Sequence, residues 1–214
     1  MSASVATLSS LRQLLAERFP QATRTGSRVL TTGLPAIDGS VGGVPCGALT
    51  EMVCAAPSCG SQLLLGELLR RVREACGRVA LVDAHDSFDP QSWPEDWLMH
   101  LVWVRCNDTA VALQAADILA RDANFQLLLL DVRLSPLAEL RQTPASFWYR
   151  LQRAVEPADL AMVVLTPKAT VASAELRLQL DRSHAFSALE EARPSLAAEL
   201  SPVLQRQRLT AASA

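Results

Sequence analysis

The residues best placed to do chemistry lie between Cys54 and Leu63, where the chain reads CAAPSCGSQL. A strand, a loop of the form G-x-x-x-x-G-K-[ST] and a helix together make a nucleotide phosphate site. The loop amides cradle the phosphates, the lysine neutralises the β and γ charge, and the hydroxyl ligates Mg²⁺. Here the apolar stretch ALTEMVC precedes the loop and LLLGELLRRV follows it, so the context is right. The chemistry is not. Ala55 stands at the first glycine, Gly60 keeps the second, Ser61 stands where lysine belongs, and Gln62 where Ser or Thr belongs. Two adjacent changes remove both the phosphate charge and the metal hydroxyl. Arg70 and Arg71 fall about two turns down the following helix, too far to reach a γ-phosphate. A helix N-terminus still attracts an anion. The expectation is nevertheless a protein with no catalytic residue, no bound nucleotide, no metal and no cofactor.

The rest of the composition agrees with a binding role. The chain has 214 residues, enough for one α/β domain with a sizeable core. Half of it is hydrophobic and a fifth charged, with a formal net charge of −2. That balance lacks the strongly basic signature of an autonomous nucleic-acid binder. Of the 20 basic residues only Lys168 is a lysine, so none lies near the loop to replace the missing one. The five cysteines form no C-x-x-C pair and read as reduced core residues. No apolar run reaches transmembrane length. The segment MSASVATLSSLRQLL lacks the features of a signal peptide, which points to the cytoplasm.

The elements that must position the loop follow from periodicity. Ser9 or Ser10 can cap a helix with Leu11, Leu14, Leu15 and Phe19 on one face, ended by Pro20. Residues 21–28 read as a linker. Strands are expected at 48–54, 78–83, 101–105, 126–131 and 161–166, apolar on both faces as buried parallel strands are. Helices are expected at 61–75, 109–121 and 146–155. Such alternation predicts a mainly parallel sheet covered by helices on both sides. Residues 175–182 alternate as a half-buried strand, with 184–189 able to pair back as a hairpin. From about Pro194 the tail, with Leu196, Leu200 and Leu204 at helical spacing, is expected to be a helix. The organisation expected is thus 1–27 leading helix and linker, 28–190 core, and 191–214 C-terminal helix and tail.

With these elements placed, the chain resembles the RecA family over residues 28–170. The segment LTTGLPAIDGSVGGVPCGALTEMVCAAPSCGS is similar in order and spacing to the recombinase segment through its phosphate loop. Thr32, Gly33, Ile37 and Asp38 match its T-G-x-x-x-I/L-D opening. Gly42, Gly43, Pro45 and Gly47 match its G-G-x-P-x-G turn. ALVDAHDSFDPQSW resembles the strand that ends in D-A-E-x-x-x-D-P, sharing Asp83, Ala84, Asp89 and Pro90, with His85 at the water-activating glutamate. QLLLLDVRLSP resembles the strand whose end supports the metal, which makes Asp131 a surviving acid with nothing to hold. In AMVVLTPK, Pro167 falls where the family carries a nucleotide-sensing glutamine. The family's two DNA-binding loops follow the fourth and fifth core strands. Here they are short and offer Arg133, Arg141 and Lys168, which implies weak, non-specific DNA contact.

Within that superfamily the whole-chain pattern is similar to the degenerate ImuA-type and SulA-like relatives. An ImuA-type likeness implies a role in SOS-induced translesion mutagenesis. The implied partners are RecA, an ImuB-like polymerase homologue and an error-prone C-family polymerase. Leu11, Leu15 and Phe19 are then the expected docking residues, because the leading segment of RecA packs on the next subunit of its filament. Self-association is a further expectation. A SulA-like likeness implies instead a division inhibitor that binds FtsZ. An active RecA-like ATPase is the third reading.

Overall fold

The computed structural model describes residues 28–208. The leading helix, with Leu11, Leu15 and Phe19, and the last residues of the tail lie outside the described residues.

Two short strands, β1 (Val29–Leu30) and β2 (Val44–Pro45), pair antiparallel around helix α1 (Pro35–Val41). Asp38 explains the T-G-x-x-x-I-D spacing. Its carboxylate accepts from the Thr32 amide (2.8 Å), the Thr32 hydroxyl (2.8 Å) and the Gly33 amide (2.9 Å). The motif therefore closes a turn at the entrance to the sheet.

The alternation expected from periodicity is present. In chain order come β3 (Ala48–Cys54), α2 (Ser61–Glu74), β4 (Val79–Asp83), α3 (Glu95–Leu98), β5 (Leu101–Arg105), α4 (Thr109–Leu119) and β6 (Leu127–Asp131). Then follow α5 (Leu137–Gln142), α6 (Ala145–Val155), β7 (Ala161–Thr166), β8 (Leu176–Leu180), α7 (Arg193–Ala198) and β9 (Val203–Gln207). One sheet holds seven strands in the order β5-β4-β6-β7-β3-β8-β9. All neighbours are parallel except β8 and β9.

The apolar runs are shared between the two faces of this sheet. In β6, Leu127 and Leu129 join Met52, Leu81 and Val163 under the apolar stripe of α2, Leu64, Leu65, Leu68, Leu69 and Val72. Leu128 and Leu130 join Leu49, Val82 and Val164 under α4 and α6, where Trp148, Leu151 and Val155 cover them. A run apolar at every position is what burial on both faces demands. Each fully buried leucine contributes about 1.5–3 kcal/mol over leaving it in water.

The end of the chain departs from expectation. Residues 203–207 form β9, an edge strand antiparallel to β8, and the helix expected there is only α7. Pro202 cannot continue a helix and biases Ser201 toward extended backbone. The outer edge of β8 meanwhile offers unpaired amides and carbonyls that β9 satisfies. Residues 184–189 consequently form no hairpin with β8. They run into a short 3₁₀ turn at Phe186–Glu190. Among the described residues, no helix is long and apolar enough to cross a membrane.

Candidate functional site

In an open parallel sheet, ligands bind outside the carboxyl ends of the strands. Three strand ends matter here. β3 ends at Cys54 and enters the loop to α2. β4 and β6 end side by side, with Asp83 in register with Asp131. Gly60 sits at the N-cap of α2 with φ +82°, where an L side chain is strained, and no side chain caps the helix. A Cβ there would meet Leu200 Cδ2 at 2.4 Å and His184 Nε2 at 3.1 Å.

At the end of β6 the Arg133 side chain turns back toward the start of α2 and lines the cleft beside Ser61. Its guanidinium donates through Nη1 to the Ser61 hydroxyl (2.5 Å). Through Nε and Nη2 it grips the Asp131 carboxylate at 2.9, 3.0 and 2.5 Å. Nη2 also lies 3.3 Å from the Ser87 oxygen. The Ser87 hydroxyl donates either to Asp131 Oδ2 (3.1 Å) or to Asp83 Oδ1 (3.3 Å). Asp83 is fully buried and accepts from the amides of His85 (3.3 Å), Ser87 (3.0 Å) and Phe88 (2.8 Å). Burial alone would lower the Arg133 pKa, but the hydrogen bonds and charge of Asp131 outweigh it and raise the pKa. The cation is permanent, and it joins the end of β6 to the first residue of α2.

Two expectations are corrected by this geometry. Asp131, expected to have nothing to hold, holds Arg133. Arg133, expected on a DNA-binding surface, turns inward with only 15% of its side chain exposed. Its partner Ser61 is the residue at the lysine position of the loop.

The segment between β8 and β9 is strapped across the loop. The Ala55 amide donates to the Leu180 carbonyl (3.0 Å), the His184 amide to the Ser58 carbonyl (3.0 Å) and the Ser183 hydroxyl to the Pro57 carbonyl (2.8 Å). Above Ser61, Gln62 and Arg133 this strap leaves a cleft of about 910 Å³, walled by Trp93, Leu189 and Leu196. Phe186 is 88% exposed at its mouth. Trp93 is fixed between two neighbours. Its ring crosses α2 at Gly66, where a Cβ would come within 2.1 Å of it, and the Arg193 guanidinium stacks on it at 4.6 Å. The cleft is therefore an apolar and aromatic recess with an arginine already neutralised in its floor.

Beneath the loop lie two cysteines whose chemistry the sequence did not single out. Cys54 ends β3 and Cys59 immediately precedes the N-cap of α2, and the two thiols shift one another's titration. Cys54, helped by the Ser61 amide and hydroxyl and by the charge of Arg133, lowers the Cys59 pKa to about 6, against a burial effect that would raise it. The effect of Cys59, with burial, holds Cys54 protonated well above the ordinary thiol range. The one signal available was their placement at the two ends of a phosphate-type loop.

The remaining candidates do not join this cluster. The loop after β7, compared above with a DNA-binding loop, is tied down by Glu51. That fully buried carboxylate accepts from Thr166 Oγ1 (3.0 Å), the Thr170 amide (2.6 Å) and the Val171 amide (3.1 Å). Lys168 is exposed on it and Pro167 half-buried. Arg141 is exposed at the end of α5. His85 is half-buried next to Asp83, with its Nε2 buried and unbonded. Among the described residues, no group of three or more His, Cys, Asp or Glu could hold a metal ion. What the arrangement offers is a closed polar floor beneath a recess suited to an apolar side chain. Neither a scan against protein-family models nor a search of the curated proteins returns a match.

Proposed function

We propose that the chain is a non-enzymatic RecA-like accessory protein of SOS DNA-damage tolerance and translesion mutagenesis, binding RecA, error-prone polymerase components, or both. The observation that carries the reading is Arg133, which bridges Asp131 and Ser61, the residue standing where a phosphate loop would have its lysine. The strand–loop–helix around it is kept, and so is the Asp38-closed turn before it. Architecture retained with nucleotide chemistry replaced favours a surface recognised by RecA's own partners, or by RecA itself. Such partners would place the protein in the cytoplasm.

The test is a pull-down of RecA and of the ImuB-like and C-family polymerases with the full chain, with and without single-stranded DNA. Retention of at least one supports the reading. No retention, together with slowed FtsZ assembly at equimolar protein, would replace it with the division-inhibitor reading. Deleting residues 1–22 is expected to weaken RecA binding. A truncated chain that binds RecA undiminished removes Leu11, Leu15 and Phe19 from the interface.

A further inference from the structure

We propose that the chain forms a two-fold dimer in which Phe186 and Leu189 of each copy insert into the cleft above Ser61 of the other. One stretch of surface carries both halves of the contact. Phe186 is 88% exposed and Leu189 75% exposed, although both are large and apolar. Both belong to the 3₁₀ turn Phe186–Glu190, and residues three apart in such a turn stand one above the other. They form a single apolar prong. Beside it lies the cleft of about 910 Å³, whose walls include Leu63, Trp93 and Leu196. A recess of that size accommodates a drug-sized apolar group, so it has room for a phenylalanine and a leucine.

The prong is held in place before any contact is made. The Ala188 amide donates to the Ala185 carbonyl (3.0 Å) and the Glu191 amide to the Ala188 carbonyl (3.2 Å), which fixes the turn. On one side of it the His184 amide is bonded to the Ser58 carbonyl (3.0 Å). On the other, Arg193 donates to the Ser92 carbonyl (2.5 Å) and stacks on Trp93. Groups already in position lose little freedom on binding, so more of the apolar gain appears as affinity.

Placement, charge and area all favour a second copy as the occupant. Phe186 and Leu189 line the mouth of the same cleft that would receive them. Two mouths brought face to face by a two-fold axis therefore set each prong against the opposite recess, and the contact closes on itself after two copies. A rim of one sign would repel its own copy. This rim carries Glu191 and Arg193, both exposed, so the two-fold can set each against the other. An aromatic side chain buries about 150–250 Å², and a leucine adds about 100 Å². Prong and recess, taken in both copies, then remove roughly 1,000–1,400 Å² from water, at the lower end of specific interfaces. A weak dimer follows, with a dissociation constant on the order of 10 µM.

Sedimentation velocity of the full chain alone, under reducing conditions, tests this across concentrations on either side of about 10 µM. The expected result is a shift from monomer to dimer as concentration rises. Phe186→Asp changes a side chain that is almost wholly in water, so the fold should stand, and the dissociation constant should rise at least about tenfold. Photocrosslinking from p-benzoylphenylalanine placed at position 186 should give a covalent dimer whose linked peptide contains Leu63, Trp93 or Leu196. A chain that stays monomeric well above that concentration overturns the proposal and leaves the recess to a different protein. A dimer that Phe186→Asp leaves unchanged, or one cross-linked away from the recess, also overturns it. No other protein is present, so the outcome is independent of the RecA and polymerase pull-downs.

Discussion

Glu51 and Asp131 both lie on core strands, both are buried, and both carry an arginine, yet their surroundings differ. Glu51 sits in the middle of β3, opposite Arg177 of β8 in the parallel register, and receives that guanidinium at 2.5 Å. Arg177 also donates to the Val171 carbonyl (2.9 Å). Every partner belongs to β7, β8 or the loop between them, so the pair locks neighbouring backbone. Asp131 ends its strand, and its arginine reaches away to a helix that is distant in sequence. That arginine also lines an open cleft. The first pair is a brace within the sheet. The second spans a place where phosphate-loop proteins leave room for a ligand. A charge buried on all sides must be fully matched, because an unpaired one costs several kcal/mol. A charge at a strand end can be matched by ligand or by protein, and here the protein supplies the match.

The largest expected effect breaks the brace. Glu51→Ala strands Arg177 and frees the half-buried Thr170 amide and the buried Val171 amide, which should cost about 3–5 kcal/mol in denaturant unfolding. A loss below about 1 kcal/mol would mean the two pairs are alike and both dispensable.

Next comes the strand-end pair. Arg133→Met leaves Asp131 without its cation but close to Ser87, for a cost of about 2 kcal/mol. Adding Asp131→Asn should recover part of it, with a coupling of about 0.5–3 kcal/mol in the double-mutant cycle. The same Arg133→Met change removes a positive charge beside Cys59. The Cys59 thiol, lowered to about 6, should then titrate at higher pH, as followed by thiolate ultraviolet absorbance. An unmoved titration would place Arg133 outside the electrostatics of the loop.

A smaller effect is expected at the strap. Gly60→Ala adds a Cβ against Leu200 and His184 at positive φ, which should cost about 1–2 kcal/mol. It should also speed hydrogen exchange of the His184 amide, which is bonded to Ser58. The smallest effect belongs to the exposed basic residues. Arg141→Ala and Lys168→Ala should each shift stability by less than about 0.5 kcal/mol and lower the salt dependence of any DNA binding by at most about one contact.

How much of this was legible beforehand varies with the range of the interaction. The strands were legible because burial on both faces demands unbroken apolar runs such as 127–130. The loop was legible because Gly60 needs positive φ and precedes an apolar helix. Leu196, Leu200 and Leu204 have helical spacing, but Pro202 and the unpaired edge of β8 override it, and no local pattern reports an unpaired edge. Arg133 could not be placed from sequence. It reads as a surface charge after a strand, and its inward turn depends on Asp131 two residues back and Ser61 far up the chain. Glu51 reads as an anomaly in an apolar strand until Arg177 and the 166–171 backbone are seen around it.

The most direct test of the account is thermal unfolding of the full chain with and without a large excess of ATP and Mg²⁺. A ligand that binds the folded state raises the melting temperature by mass action. With Arg133 already spanning Asp131 and Ser61, the account predicts no change. A rise of about 4 °C or more would contradict it, because the arginine would then be making way for a nucleotide.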